Sequence, residues 1–399
     1  MRCHKPLMDM TPRYDLRLVG LAGTITLAAA MGFGRFFYTP VLPGMIAGIP
    51  LSSANAGYIA AGNFAGYLAG AILAGQGWAA GRERMIALCA LVSTSVLLAA
   101  MAVTTSVPAF VVIRFLAGLA SALALILTSS IVLPFAREAG SRGHVVNFLH
   151  FGGVGVGIAL SSALAFIVNT LAGDAAHGWR IDWLAGAVIT MAAAFAVMRL
   201  LPRPHATAVR RAEPPLQWRL PLTLLTASYG LFGFGYVITA TFLVTIARQG
   251  DAGPVVEFLA WFLTGTAAAV SLVLWHPAAV RAGIARSYVA SLVLLAIGVV
   301  ASVLLPSTAG ALTGGLLLGA TFMVITAYGL QLGGKLAPES PRRALSSMTA
   351  AFGVGQIAGP LVAGWAAEKS GSFTLPTLIA TCVLAVAVVL AAIVVRRVD

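Results

Sequence analysis

The sequence predicts an all-α membrane protein whose twelve transmembrane helices form two six-helix halves, and three observations carry that prediction. Of the 399 residues, 59% are hydrophobic and only 9% charged, against about 25% charged in soluble domains. Apolar runs near 20 residues, the length that takes a helix across about 30 Å of hydrocarbon, recur from end to end. Glycine patterns also return in order at an offset of 200 or 201: Gly32-Phe33-Gly34 as Gly233-Phe234-Gly235, Gly118 as Gly319, and Gly153-Val154-Gly155 as Gly353-Val354-Gly355. Any one match is weak in a chain with 43 glycines, but three in equivalent spans indicate duplication.

Taken in order, residues 1–17 form a basic arm without the compact apolar core and small-residue cleavage site of a signal peptide, so it is expected to be retained. The first half, 18–201, holds spans at 18–42, 54–74, 85–103, 109–136, 145–168 and 183–201. Residues 202–219 are rich in proline and arginine and read as a linker, not a domain. The second half, 220–395, holds spans at 220–246, 258–275, 287–305, 309–334, 345–366 and 373–395, and 396–399 is a short tail.

Loop charge sets the orientation, because cytoplasmic loops carry the excess of Lys and Arg. With the N-terminus inside, inward segments hold 20 of the 25 basic residues; the outward loops hold only Arg180, Arg248 and Lys369. Both termini are therefore expected in the cytoplasm. The net charge of +13 is spread over these short loops and not gathered into a patch, which argues against nucleic acid as a partner. Cys3, Cys89 and Cys382 are too few and too scattered for a disulfide framework or a zinc site. No metal or cofactor site is expected. The Gly-Val-Gly-Val-Gly run at 153–157 lies inside an apolar span without the strand-turn-helix context of a dinucleotide loop, so a nucleotide site is rejected.

Two basic residues, Arg35 and Arg114, fall inside spans. A charge at the centre of a membrane helix costs about 2.5 to 3.5 kcal/mol on insertion scales, so each must meet protein, water or a ligand. No intramembrane acid is available to pair with them, which leaves backbone carbonyls, aromatic faces or an anion. A carboxylate or phosphate would suit the guanidinium fork. Asn63 and Tyr67 are four apart on one helix face and face either the interior or another helix. Tyr236 stands in the seventh span where Arg35 stands in the first; with Thr239, Gln356, Tyr328 and Trp261 it could form a more apolar second wall. A histidine ordinarily titrates near neutrality, so His150 is the candidate for proton coupling, its alternative being a packing histidine. Asp182 and Glu257, at the outer ends of spans six and eight, are read as solvated.

Several of these segments resemble one family. The patterns Gly32-Phe33-Gly34-Arg35-Phe36 with Thr39-Pro40, Ala56-Gly57-Tyr58 through Asn63 to Gly66-Tyr67, His150-Phe151-Gly152-Gly153-Val154-Gly155-Val156-Gly157, and Gly233-Phe234-Gly235-Tyr236 onward to Phe242 look like the YbfB/YjiJ group of the major facilitator superfamily. Arg114-Phe115-Leu116-Ala117-Gly118 resembles the arginine-plus-glycine motif of the superfamily's fourth span. Between spans two and three, where the family pattern has a glycine, an aspartate and flanking basic residues, 75–84 keeps Arg82 and Arg84 as gating-loop candidates and has no aspartate.

The resemblance implies the major facilitator fold, with spans one, four, seven and ten lining a central cavity, and a bacterial inner membrane location. It implies a secondary active or facilitative transporter that moves a small solute by alternating access. A monomer is expected, and with no ATP motif in the sequence any driving force is expected to be an ion or solute gradient, with a proton as a candidate coupling ion. The substrate-binding candidates are Arg35, Arg114, Asn63, Tyr67, Tyr236, Thr239 and Gln356. An anionic or zwitterionic solute is preferred, with efflux of amphipathic compounds as the alternative. A non-transporting receptor is a remote reading. An enzyme is not expected, since no nucleophile, base and orienting group fall in register.

Overall fold

The computed structural model describes residues 15–140, 143–172, 178–203 and 213–398. The basic arm up to residue 14, linker residues 204–212 and the final residue lie outside them. Within the described residues, twelve helices are long and apolar enough to cross a membrane. We number them α1 (Leu16–Gly48), α2 (Ser53–Gly75), α3 (Glu83–Ala102), α4 (Val107–Glu138), α5 (Gly143–Ala172), α6 (Gly178–Leu200), α7 (Leu220–Gln249), α8 (Pro254–Ala282), α9 (Ile284–Leu304), α10 (Ser307–Leu336), α11 (Pro341–Ser370) and α12 (Thr374–Val398). All twelve spans expected from hydropathy are present. Most helices extend past their apolar window, α8 furthest, because capping residues and polar ends continue a helix beyond hydrocarbon. The face on which α1 begins carries most of the loop arginines and is called the basic face below.

The linker departs from a free connector. Glu213 accepts from the backbone N–H groups of Arg342 and Arg343 at the start of α11 and from Arg342 Nε at 2.7 Å. Leu216 packs beside Leu222, Ala337 and Ala344. Its far end is thus docked on the second half, at a helix N-terminus that favours a carboxylate. Desolvation acts to raise the Glu213 carboxyl, but the hydrogen bonds from Arg342 and Arg343 outweigh it and hold it below the usual range. The docking is therefore present above the unfolded value of about 4.3 and weakens as pH falls through the lower folded value.

Duplication is visible in how the helices cross. A Cβ on Gly118 of α4 would overlap the Asn63 carbonyl of α2, and one on Gly319 of α10 would overlap the Thr264 carbonyl of α8. Asn63 and Thr264 are 201 residues apart, as are Gly118 and Gly319. Their side chains repeat one bond: Asn63 Nδ2 donates to the Arg114 carbonyl at 2.9 Å, and Thr264 Oγ1 to the Gly315 carbonyl at 3.0 Å, the acceptors again 201 apart. Gly118→Val should abolish the α2–α4 contact, since the obstructing atom is backbone and cannot yield. The expected outcome is loss of the monodisperse peak in detergent size-exclusion chromatography.

One element breaks the symmetry. α1 is π-helical from Ala28 to Phe36 and α-helical again from Tyr38, whereas its counterpart α7 runs as one α-helix. Among the positions that differ between the two segments, Pro40, whose counterpart is Thr241, bears on the ladder directly. Proline offers no N–H to the carbonyls four and five residues back, those of Phe36 and Arg35, and so disturbs the ladder where the π segment ends.

The halves meet along two related seams, α2 with α11 and α5 with α8, and where α1 crosses α7. The α1–α7 crossing is marked by Thr39 Oγ1 donating to the Ala240 carbonyl at 2.6 Å. These two residues are also 201 apart, so equivalent points of the repeat touch and the contact lies on the pseudo-twofold axis.

Candidate functional site

Arg35 and Arg114 sit together at the end of the π segment, 4% and 2% exposed. Arg114 reaches from α4 into the disturbed ladder: Nη1 donates to the Gly34 carbonyl at 3.0 Å and Nη2 to the Arg35 carbonyl at 2.7 Å. Its guanidinium carbon also lies 5.3 Å from the Tyr38 ring and 5.9 Å from that of Trp183. One arm of the fork thus serves the Arg35 carbonyl, which the proline leaves without a donor, and the other takes its neighbour, that of Gly34. In the second half, the position equivalent to Arg114 is Gly315, and α7 has no π segment to serve.

Arg35 is held differently. Its guanidinium carbon stands 4.1 Å from the Tyr67 ring, 4.8 Å from Phe64 and 5.3 Å from Phe36. Its Nε and Nη2 are buried and reach no acceptor among the described residues. Aromatic faces supply on the order of 0.5 to 2 kcal/mol to a cation, short of what its desolvation costs. The field of this charge reaches Tyr236 of α7. The positive side of the site therefore faces the aromatic side across the two halves.

That aromatic side is built on Tyr236, 3% exposed. It stacks within 10° of the planes of Phe322 and Phe352, with centroids 6.0 and 5.7 Å away, and its hydroxyl takes a short hydrogen bond from Gln356 Nε2. Phe36 joins the halves, 6.2 Å from Phe322 and 6.3 Å from Trp261. Two cavities of about 10 Å³ flank Phe36, one beside Arg35, Phe64 and Arg114, the other beside Tyr236, Trp261 and Phe322. Each is the size of a single water, so a solute enters only if these rings move.

The other expected residues are placed as follows. Tyr67 is half-buried over Arg35. Asn63 ties α2 to α4, with its Oδ1 buried and unbonded, as are Thr239 Oγ1 and Gln356 Oε1. Tyr328 is buried on α10 and Trp261 on α8, both within the main apolar core. His150 lies inside the first half: Nε2 pairs with Ser129 Oγ at 2.8 Å, the ring packs against Gly23 of α1, and Phe151 meets it edge-on. Arg84 donates to the carbonyls of Leu201 and Met198, and Arg82 weakly to that of Trp78, so their named bonds stay within the first half. Phe36, Phe64, Phe322 and Phe352 were missed from the sequence. The 201 offset marks only Phe36 indirectly, as the neighbour of the Arg35–Tyr236 pair.

Asp182 and Glu257 are corrected. They are 1% and 8% exposed, not solvated, because span ends that look terminal in one dimension are covered by neighbouring helices in three. Glu257 holds Arg248 through both Nε and Nη2. Asp182 lies within the field of the same arginine across the halves. A cavity of about 490 Å³ on this face is lined by Trp179, Ser162, Asn169, Phe258, Arg248 and Glu257, among others.

Bonds across the halves gather on this face opposite the basic one. Glu368 at the end of α11 accepts from Ser52 Oγ at 2.7 Å and from the backbone N–H of Ala54 at 2.9 Å, sealing the start of α2. Ser162 of α5 donates to the Phe258 carbonyl at 2.9 Å. Glu368→Ala should loosen this seal while leaving the core intact. A cysteine in place of Ser53, half-buried at the start of α2 beside Gly364, would then react faster with an impermeant thiol reagent than in the Glu368 parent.

Comparison with known proteins places the chain. It is 29% identical over 356 residues to a chloramphenicol resistance protein of Streptomyces lividans, covering 84% of this chain and 85% of that one. Its fold matches the crystal structure of the nucleoside transporter NupG with a TM-score of 0.72 at 16% identity, over 96% of this chain and 98% of that one. It also matches a bacterial homologue of the human lysosomal transporter Spinster, in an inward-facing and unoccupied conformation, with a TM-score of 0.73 at 13% identity, over 97% and 98% of the two chains. At such identities the likeness concerns the fold, which is that of the major facilitator superfamily. The family model described as Uncharacterised MFS-type transporter YbfB matches residues 27–392, and the chain belongs to this family of membrane transporters.

Proposed function

We propose that the protein is a secondary transporter for a small solute combining an anionic or zwitterionic group with an apolar, ring-bearing body, moved by rocking of the two halves. The observation that carries this reading is Arg35: a buried guanidinium with two donor nitrogens unmet, laid on aromatic rings and turned toward a second aromatic wall. An oxyanion would satisfy those donors, and the rings of Phe36, Tyr236 and Phe322 would take the body. The basic face is read as cytoplasmic in a bacterial inner membrane. On that reading, the seals at Thr39, Ser52 and Glu368 belong to a state closed to the outside. We place substrate contact at Arg35, Tyr67, Tyr236, Thr239 and Gln356, and a supporting role at Arg114 and Asn63. His150 is kept as the proton-coupling candidate of a monomer.

Efflux of amphipathic compounds is the second reading, favoured by the ring-rich centre and by the resistance protein among the relatives. Flux into sealed liposomes, with and without a pH gradient, separates the two. Aromatic carboxylates should move and neutral amphiphiles should not. Transport of neutral amphiphiles with no response to carboxylates would overturn the anion reading in favour of efflux. Binding without flux of any solute would overturn both.

A further inference from the structure

On the basic face, the α2–α3 loop and the end of α6 enclose a groove of about 600 Å³. Its lining combines three arginines, Arg82, Arg84 and Arg203, with apolar Met85, Leu88 and Cys89, and no acid is among the described residues that line it. Glu83, next in sequence, is turned inward at 7% exposure. Arg84 is fixed in place by the carbonyls of Leu201, at 2.9 Å, and Met198, at 2.5 Å. Arg82 and Arg203 are exposed, and Arg82 makes only a 3.4 Å contact with the Trp78 carbonyl.

An apolar track leads away from this cluster. Met85 is 55% exposed, Val92 42% and Val96 57%, with Cys89 also exposed. Positions 85, 89, 92 and 96 follow helical spacing on one face of α3 and span about 16 Å. Trp78, 40% exposed, meets Arg82 through its carbonyl and has its indole N–H bonded to the Leu73 carbonyl, the arrangement of an aromatic at a membrane interface.

We infer that this groove binds the phosphate of an anionic glycerophospholipid, with an acyl chain lying along the Met85–Val96 face of α3. The two halves of the lining ask for one amphiphile. A free phosphate would leave the apolar residues unused, and a choline headgroup would bring a second cation to three already present. Arg84, held by backbone, gives the site a fixed point, while Arg82 and Arg203 are free to close on the ligand. Basic grooves beside membrane helices on the cytoplasmic leaflet suit such headgroups.

The test is native mass spectrometry and thermal melting of the purified full-length protein in detergent. The additives are dioleoyl phosphatidylglycerol, dioleoyl phosphatidylcholine or inorganic phosphate. Phosphatidylglycerol should remain bound and raise the melting temperature, and the other two should not. The double variant Arg82→Gln/Arg203→Gln should weaken phosphatidylglycerol binding by roughly tenfold or more, the expected loss for two charge-assisted contacts. The control Arg396→Gln/Arg397→Gln, in the last turn of α12, should not. Met85→Glu keeps all three arginines, places a repelling charge in the groove and should weaken binding likewise, so the site can still be tested if the double variant does not fold. Equal binding of phosphatidylcholine, an equal shift from inorganic phosphate, unchanged binding in the groove variants, or equal loss in the α12 control would each overturn the proposal.

Discussion

Replacing Arg35 with methionine should give a protein that melts at a higher temperature than the parent and no longer transports. The two effects come from one cause. Removing a buried charge that lacks partners and filling its place with an apolar side chain of similar length is neutral to stabilising, by about 1 to 4 kcal/mol. Methionine also keeps a sulfur against the rings of Tyr67 and Phe64, worth roughly 0.3 to 1.5 kcal/mol, against the cation–π attraction that is lost. The same substitution takes away the donors assigned to the solute, so uptake of an organic anion into liposomes should fall to background. Anions that raise the melting temperature of the parent should leave that of the variant unchanged. A variant that melts lower and still transports would reverse both roles and make Arg35 structural.

Arg114→Ala should have the opposite signature, a large loss of stability. Two hydrogen bonds from a charged donor to the Gly34 and Arg35 carbonyls are worth roughly 1.5 to 3 kcal/mol each. With the fork gone, both carbonyls lose a charged donor, and that of Arg35 already lacks the N–H that Pro40 cannot supply. We expect a loss of about 3 kcal/mol or more, read as a sharp fall in melting temperature and in yield. Arg114→Lys should rescue little, since an ammonium is a point donor and cannot bridge adjacent carbonyls as the planar fork does. Adding Pro40→Thr, the residue at the equivalent place in α7, should recover part of the loss, because a backbone N–H then returns to the ladder. An Arg114→Ala protein as stable as the parent would mean that the π segment holds itself.

The hydropathy pattern made the twelve spans legible, since crossing hydrocarbon requires long apolar runs wherever the helices later pack. It also exposed Arg35 and Arg114, because a charge in such a run is conspicuous in one dimension. Their division of labour was not legible. Nothing in the sequence shows that Arg114 points at the carbonyls of α1, since the proline that disturbs that ladder lies 74 residues away in a different helix. The 201 offset gave more than it first yields. Applied to Asn63 it finds Thr264 and a packing bond, applied to Pro40 it finds Thr241 and the reason that only α1 is π-helical. Asp182 and Glu257 were misplaced because nearness to a span end says nothing about which helices close over it. The aromatic contacts of Phe36 with Phe322 and Trp261 join distant segments and leave no local pattern to read.

The bond between Thr39 and Ala240 carries a consequence for the origin of the two halves. In an ancestor made of two identical six-helix chains, a residue on the twofold axis confronts its own image. Two threonines meeting there would offer two hydroxyls and two carbonyls to one small space, and two alanines would leave both carbonyls without a side-chain donor. Fusion into a single chain removes the requirement that the two sides match, so one can keep the hydroxyl and the other make room for it. The axis is where identity between copies is most costly, and it is there that a duplicated chain gains first from becoming unlike itself.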